Sequence, residues 1–231
     1  MTEQHDPAGA IPPGYHPSWW SDGAATARAR TMCYWRYCRP GDLVFDIGAN
    51  IGDITRVFLE MGCRVVAVEP QAEIAEHIPA EAEIVVAAVG ATAGMGTLHA
   101  VAANPALSSM RHDIAETALT FNGSWTSVER GVEVVTMDQL IEEYGVPVFA
   151  KIDVEGFELE VLNGLSRPLQ ALSFEAHNFD TGKVGGCIAR LDELSGGRYG
   201  YLYSRGDSYQ LEPFPPTSYG WYGDVYASLR P

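Results

Sequence analysis

The side chains of this 231-residue chain best suited to moving a proton are Asp153, Glu155, Glu175 and His177. Asp153 follows the apolar run Val148-Phe149-Ala150-Lys151-Ile152, and Glu175-Ala176-His177 closes the run Leu172-Ser173-Phe174. Parallel neighbours in an open α/β sheet end at one edge, which is also where such sheets bind ligands, so these four groups should meet there. An imidazole beside a carboxylate has its tautomer fixed and its pKa raised, which suits a general base oriented by Glu175 or Asp153. The competing reading of His177 is an imidazole satisfied by a nearby carbonyl, with no chemical role. An unpaired carboxylate at a buried strand end is costly, so Asp153 is read as functional, binding a cofactor ammonium or a substrate hydroxyl. Glu155 is read as a substrate contact; alternatively it joins Glu158 in capping a helix that starts at Gly156 or Phe157. Lys151, further back on its strand, is read as a structural bridge to Asp153 or Glu175. Asp153, Glu175, His177 and Asn178 offer ligands for Mg²⁺ or Mn²⁺, but they lack a spacing signature and no metal is assigned.

A second polar set surrounds a glycine turn. Val44-Phe45-Asp46-Ile47-Gly48-Ala49-Asn50-Ile51-Gly52-Asp53 joins an apolar run to a helical pattern, and Val65-Val66-Ala67-Val68-Glu69-Pro70 ends a second run in an acid, 23 residues after Asp46. This is the βαβ arrangement that binds an adenosine-containing ligand, with Glu69 accepting from ribose hydroxyls. Gly48 permits a sharp turn and close backbone approach, and Gly52 is expected to let the next helix pack close to the strand. Asn50 stands where a dinucleotide fingerprint has its middle glycine, and the chain has no G-x-x-x-x-G-K-[ST], so a pyrophosphate or triphosphate ligand is disfavoured. An acid ahead of the first glycine suits a ligand with an amino group. S-Adenosylmethionine (SAM) carries a sulfonium, an ammonium and a ribose diol, and fits the D-x-G-x-x-x-G turn with its later Glu. The expected cofactor set is Asp46, Gly48, Ala49, Asn50, Gly52, Glu69, Pro70 and Asp153, with Ala88 and Val89 at the end of the third strand.

The elements that must hold these residues alternate. Helices are expected over Ala24 to Tyr37, Ile51 to Met61, Gln71 to Ile78, Met137 to Tyr144, Glu158 to Leu165 and Val184 to Leu194. Strands are expected over Leu43 to Ile47, Arg64 to Val68, Glu83 to Val89, Pro147 to Asp153 and Leu169 to Ala176, with Tyr199 to Ser204 and Asp224 to Leu229 closing the sheet. Gly96 to Ala102 and Gly131 to Thr136 read as extra strands around a long polar insertion, Asn104 to Glu129, and long insertions in compact domains are usually functional or disordered. Residues 1–22 read as an N-terminal arm and 23–231 as a single doubly wound α/β domain. Aromatic side chains outside the core strands (Trp19, Trp20, Trp125, Trp221, Tyr222) suit either loop packing or a substrate face; packing is preferred for Trp221 and Tyr222, and Trp125 is kept as a substrate candidate.

The net charge is -15 and the chain has two lysines, Lys151 and Lys183. Such a surface repels phosphate backbones and argues against nucleic-acid substrates. The start lacks a basic segment followed by an apolar one, and no apolar run is long enough to span a bilayer. Cys33, Cys38, Cys63 and Cys187 contain no C-x-x-C pair, so reduced thiols in a cytoplasmic protein with no membrane partner are expected.

Val44 to Gly52, Ala67 to Pro70, Asn104-Pro105-Ala106-Leu107-Ser108-Ser109, Thr136-Met137-Asp138-Gln139-Leu140 and Lys151-Ile152-Asp153-Val154-Glu155-Gly156-Phe157-Glu158 occur in the order seen in FkbM-family methyltransferases, which the chain resembles over about residues 40 to 180. The resemblance implies a class I, Rossmann-like methyltransferase fold: a doubly wound, mostly parallel sheet with an antiparallel closing strand. It implies SAM as cofactor and a hydroxyl of a sugar, polyketide or other secondary metabolite as acceptor. Ser108 and Ser109 match the family's serine pair and are expected to contact the substrate, against the plainer reading of an ST-turn. The other functions open to the chain are a non-catalytic SAM-binding module and a nicotinamide-dependent oxidoreductase, the latter disfavoured by Asn50. The charge generates the first test: low-micromolar protein should give no gel shift with duplex DNA at physiological salt, and a shift would contradict the repulsion argument.

Overall fold

The computed structural model describes residues 23–101, 107–113, 127–177, 181–205, 209–214 and 222–230. The expected N-terminal arm, Trp19, Trp20, Trp125, Asn178 and Trp221 lie outside the described residues. In chain order the elements are α1 (Gly23–Tyr34), β1 (Leu43–Ile47), α2 (Asp53–Glu60), β2 (Arg64–Val68), α3 (Ala72–Ala75), β3 (Glu83–Val85), β4 (Ala88–Val89), β5 (Gly94–Val101), β6 (Ser127–Val135), α4 (Met137–Tyr144), β7 (Phe149–Ile152), α5 (Glu158–Asn163), β8 (Ala171–His177), α6 (Thr181–Ser195), β9 (Tyr199–Arg205), β10 (Leu211–Pro213) and β11 (Tyr222–Leu229).

Eight strands form one sheet in the order β10-β9-β11-β8-β7-β1-β2-β3. Strands β3, β2, β1, β7 and β8 are parallel, and β11 inserts antiparallel between β8 and β9. This is the doubly wound, mostly parallel sheet with an antiparallel closing strand, and its strand order reverses between β1 and β7. Alternation along each central strand divides the core. Phe45, Ile47, Val66 and Val68 pack with Leu140, Leu162, Leu191 and their neighbours on one face; Val44, Val65, Ala67 and Phe149 pack with Tyr34, Val57 and Phe58 of α1 and α2 on the other.

The run Glu83 to Val89 is not one strand. Only Glu83–Val85 pairs with β2; Ala88–Val89 pairs with β6 in a separate three-stranded sheet, β4-β6-β5. A continuous apolar run cannot reveal a change of ladder partner, which depends on a strand more than forty positions later. The two extra strands are present, but they form this small sheet, with Val101 opposite Ser127 at its far end. The short edge strand β10 was not anticipated, and α3 is shorter than the helix expected over Gln71 to Ile78. At the start of α4, the Thr136 hydroxyl accepts from Gln139 N at 3.2 Å and the Gln139 Oε1 accepts from Thr136 N at 2.9 Å, a capping box. The Thr-x-x-Gln of the T-M-D-x-L segment is thus a helix start.

Phe149 anchors the face that carries α1 and α2. Its ring stacks on Tyr37 with centroids 5.1 Å apart and meets Tyr34 edge-on at 5.7 Å and Phe58 at 6.1 Å. Truncation to Ala removes these contacts and leaves a cavity. Phe149→Ala should lower the unfolding free energy by about 3–5 kcal/mol, read from the denaturation midpoint at unchanged slope.

Candidate active site

The reversal of strand order between β1 and β7 puts the turn after β1 against the turn after β7. A Cβ on Gly48 would lie 1.8 Å from the Asp153 carbonyl oxygen, so this crossing admits glycine alone, and Gly48 has φ +80°. Asn50 and Gly52 also have positive φ, 50° and 83°. Asn tolerates this conformation and here uses it: its side-chain oxygen accepts from Ile51 N at 2.7 Å. A Cβ on Gly52 would meet Pro79 at 2.7 Å and Ile78 at 3.1 Å. The close approach that Gly52 allows is therefore to the segment after α3, not to the strand.

Asp46 is fully buried, and on β1 it is the register partner of Lys151 on β7. Thr55 of α2 donates to Asp46 Oδ2 at 2.6 Å, and Oδ1 has no hydrogen-bond partner among the described residues. Burial raises its pKa, opposed by the Lys151 charge and the Thr55 hydrogen bond. Lys151 Nζ meets Asp153 Oδ2 at 2.8 Å, the expected bridge. Burial works against its charge, but the carboxylates of Asp153, Asp46 and Asp224 outweigh that and hold it protonated.

Glu69 sits just past the end of β2, almost fully buried. Its Oε2 accepts from Asn50 N at 3.1 Å; its Oε1 accepts from Gln71 N at 3.0 Å and from Gln71 Nε2 at 3.3 Å. Burial outweighs these donors and pushes the carboxyl up to about 7. Pro70 follows, half-buried, and Ala49 packs in the core beneath the turn.

At the end of β7 three acids come together: ligand oxygens of Asp153, Glu155 and Glu175 lie within 4.8 Å of one another. Such a group can accept a proton, hold polar donors or ligate a hard cation. The metal set read from the sequence keeps Asp153 and Glu175, with Glu155 as the third member. Glu155 has a left-handed backbone, φ 51°, and burial together with the charges of Glu175 and Asp153 raises its pKa well above the ordinary carboxylate range. The helix start has no side-chain cap, so neither acid takes the capping role; Glu158 Oε1 instead accepts from Gly156 N at 2.9 Å and Val154 N at 3.3 Å, in the loop ahead of the helix. Burial and the Glu175 charge push Glu158 up to about 7, against Lys183, whose ammonium lies 3.7 Å from its Oε2. The Gly156 carbonyl accepts from Lys183 and from Arg111.

His177 closes β8 and pairs with Tyr222 across the antiparallel ladder; its side chain lies outside the described residues. Trp125 does as well. Ser109 corrects the expected substrate contact. It is fully buried, its hydroxyl donates to the Glu155 carbonyl at 2.7 Å and accepts from Arg111 N at 3.0 Å, so its one proton is committed to the acid loop. Ser108 likewise turns inward, onto Gln71 at 3.4 Å. Ala88 and Val89, expected at the end of a third main-sheet strand, belong to the small sheet: Ala88 packs with Leu98 and Val134, and Val89 packs in the main core. The sequence reading missed Thr55 and Gln71, which bond acids nearby in the chain, and Arg111 and Lys183, whose partner Gly156 lies far along it. It also took Tyr222 for loop packing. Tyr222 is 53% exposed and stands opposite His177 in the ladder, at the end of β8 that carries Glu175. Its register opposite His177 is the signal that would have found it.

A family model, Methyltransferase FkbM domain, matches residues 46–207. A hexuronic acid methyltransferase of Haloferax volcanii is 28% identical over 140 residues, 58% of this chain and 54% of that protein, so the chain spans about half the length of this curated relative. Among solved structures, a TehB-like SAM-dependent methyltransferase of Corynebacterium glutamicum aligns with a TM-score of 0.47 at 11% identity, over 87% of this chain and 88% of that one. An O-methyltransferase of Bacillus cereus in complex with SAH aligns with a TM-score of 0.42 at 18% identity, over 93% and 84%. The family match begins at Asp46 and takes in Glu69, the serine pair, the capped α4 and the acid loop, which displaces the nicotinamide oxidoreductase reading. The matched residues hold the glycine crossing, the acid after β2 and the acid cluster after β7, and the chain belongs to the FkbM family of SAM-dependent methyltransferases.

Proposed function

We propose that the chain methylates a hydroxyl of a small molecule: a sugar, a polyketide or another secondary metabolite. The observation that carries this is the cluster of Asp153, Glu155 and Glu175 at the sheet edge beside the Gly48 turn. SAM, when bound, supplies a methyl group on a positively charged sulfur. Asn50, Gly52, Pro70 and Glu69 line its proposed seat. Glu69 accepts from the ribose diol, and Asp46 Oδ1, left without a partner among the described residues, is an acceptor available to its amino group. With SAM bound the transfer would be an in-line displacement of the thioether by the acceptor oxygen, and this chain's part would be to hold oxygen, methyl and sulfur in line and to accept the hydroxyl proton at a base. Holding the three atoms in line is worth several kcal/mol by itself. Since the relative from Haloferax volcanii is a hexuronic acid methyltransferase, hexuronic acids and their glycosides are the first acceptors to test.

The folded, unliganded protein holds Glu69 up to about 7, while an ionised carboxylate accepts ribose hydroxyls best. Affinity for S-adenosylhomocysteine should therefore rise with pH through about 7 and then level off, with a proton released on binding below that point. Glu69→Ala should weaken binding by about 1–3 kcal/mol and flatten the profile; unchanged calorimetric affinity would remove Glu69 from the site.

The base in this proposal is His177, oriented by Glu175 or Asp153. Its support is the position of His177 at the end of β8, two residues after Glu175 and beside the end of β7. With an acceptor in hand, His177→Ala should lower kcat by about 10²-fold or more and leave cofactor affinity nearly intact. The rate should rise with pH through one ionisation between about 6 and 8, since only neutral imidazole accepts a proton. Near wild-type kcat would pass the role to Asp153, and loss of activity in a chelator would pass it to a cation on the acid cluster.

A further inference from the structure

The residue that orients the Glu69 carboxylate is Gln71, and a side-chain amide can sit in two orientations related by a half-turn. In one, Nε2 donates to the carboxylate; in the other, Oε1 faces a carboxylate oxygen and repels it. Gln71 is buried and donates through Nε2 to Glu69 Oε1 at 3.3 Å. What meets the other end of the amide is Ser108, whose hydroxyl donates to Gln71 Oε1 at 3.4 Å and accepts from Val101 N at 3.0 Å. The sense of the series is set at the Glu69 end, where an ionised carboxylate only accepts and so takes the Nε2 end of the amide. Val101 N–H occupies one lone pair of the serine oxygen, and the serine proton, given to Oε1, holds the amide in that sense. The relay runs from the end of β5, in the small sheet, to the acid after β2, in the main sheet.

We propose that Ser108 is a positioning residue of the cofactor site, acting through Gln71 on the Glu69 carboxylate. With Gln71 held, three donors converge on Glu69: Asn50 N on one oxygen, Gln71 N and Nε2 on the other. The carboxylate cannot rotate, and its remaining lone pairs keep one direction. Hydrogen bonds aligned head to tail also polarise one another, which favours the charged form of the acid that terminates them. The inference rests on Glu69 as the ribose acceptor. Ser108 also departs from Ser109, whose hydroxyl serves the acid loop instead.

The test is calorimetric titration of the full chain with S-adenosylhomocysteine over about pH 6 to 8. Ser108→Ala and Gln71→Met, the second removing both polar atoms at constant length, should each weaken binding by about 5–20-fold. Both should move the pH midpoint of affinity upward, because Glu69 has lost a donor to its charged form. Ser108→Thr, which keeps the hydroxyl, should return to within about twofold of wild type. If Ser108→Ala does not fold, Gln71→Met decides by the same two readouts. A purely structural serine would lower the melting temperature and leave affinity at low temperature and the pH midpoint unchanged, which overturns the relay. Binding lost in Glu69→Ala but kept in both relay variants also overturns it and leaves the Glu69 reading standing. Wild-type affinity in Glu69→Ala removes the Glu69 reading and the relay with it.

Discussion

The buried ammonium of Lys151 is what allows this sheet edge to be acidic. It lies between Asp46 on β1 and Asp153 after β7, on the two strands where the winding reverses. Without a cation there, two carboxylates on adjacent buried strands would repel, and one would take up a proton. With it, Asp46 can hold Thr55 at the start of α2 and Asp153 can stand at the strand end. A charge buried among carboxylates contributes little net stability against an apolar replacement of the whole set, but removing one member alone is costly, so the group acts as a unit.

Beyond Lys151 the edge carries further acids. Glu155 and Glu158 are both pushed upward, the first by burial and its acidic neighbours, the second by burial and Glu175. A group of carboxyls close enough to share protons has no single titration belonging to one residue. An edge of this kind is complementary to cationic and hydrogen-bond-donating ligands, and in the proposed reaction both are present: a sulfonium with its ammonium, and an alcohol. The backbone supports the arrangement where side chains do not. Gly48 brings the two turns into contact, and Ser109, Lys183 and Arg111 pin the carbonyls of Glu155 and Gly156 so that the loop between β7 and α5 keeps its shape.

Much of this was legible in the sequence because it depends on local pattern. The central strands, the D-x-G-x-x-x-G turn, the acid after the second strand and the parity that gathers Lys151 and Asp153 all follow from period-two alternation and from which residues end the runs; Glu155 joins them through a left-handed turn past the strand end. What was not legible depends on partners distant in the chain. The apolar run over Glu83 to Val89 hides its break because its second half is claimed by β6. The serine pair reads as a polar loop with substrate-facing hydroxyls until Gln71 and the Glu155 carbonyl supply its partners. Tyr222 reads as packing until the ladder with β8 sets it opposite His177. Residues of the shared motifs also divide between framework and chemistry. Thr136 and Gln139 start a helix, whereas Asp153 and Glu155 face the cluster.

The split of the third apolar run has a consequence for how such a chain can diversify. By leaving the main sheet after Val85, the backbone builds a small sheet whose β5 and β6 are antiparallel neighbours, with Val101 and Ser127 paired at its open end. Polypeptide entering and leaving at two paired residues is a closed excursion: its length can change without altering the register of any strand that carries Asp46, Glu69 or Asp153. Ser108, Ser109 and Arg111 are tied back to Gln71 and the acid loop, and so belong to the frame of the sheet edge.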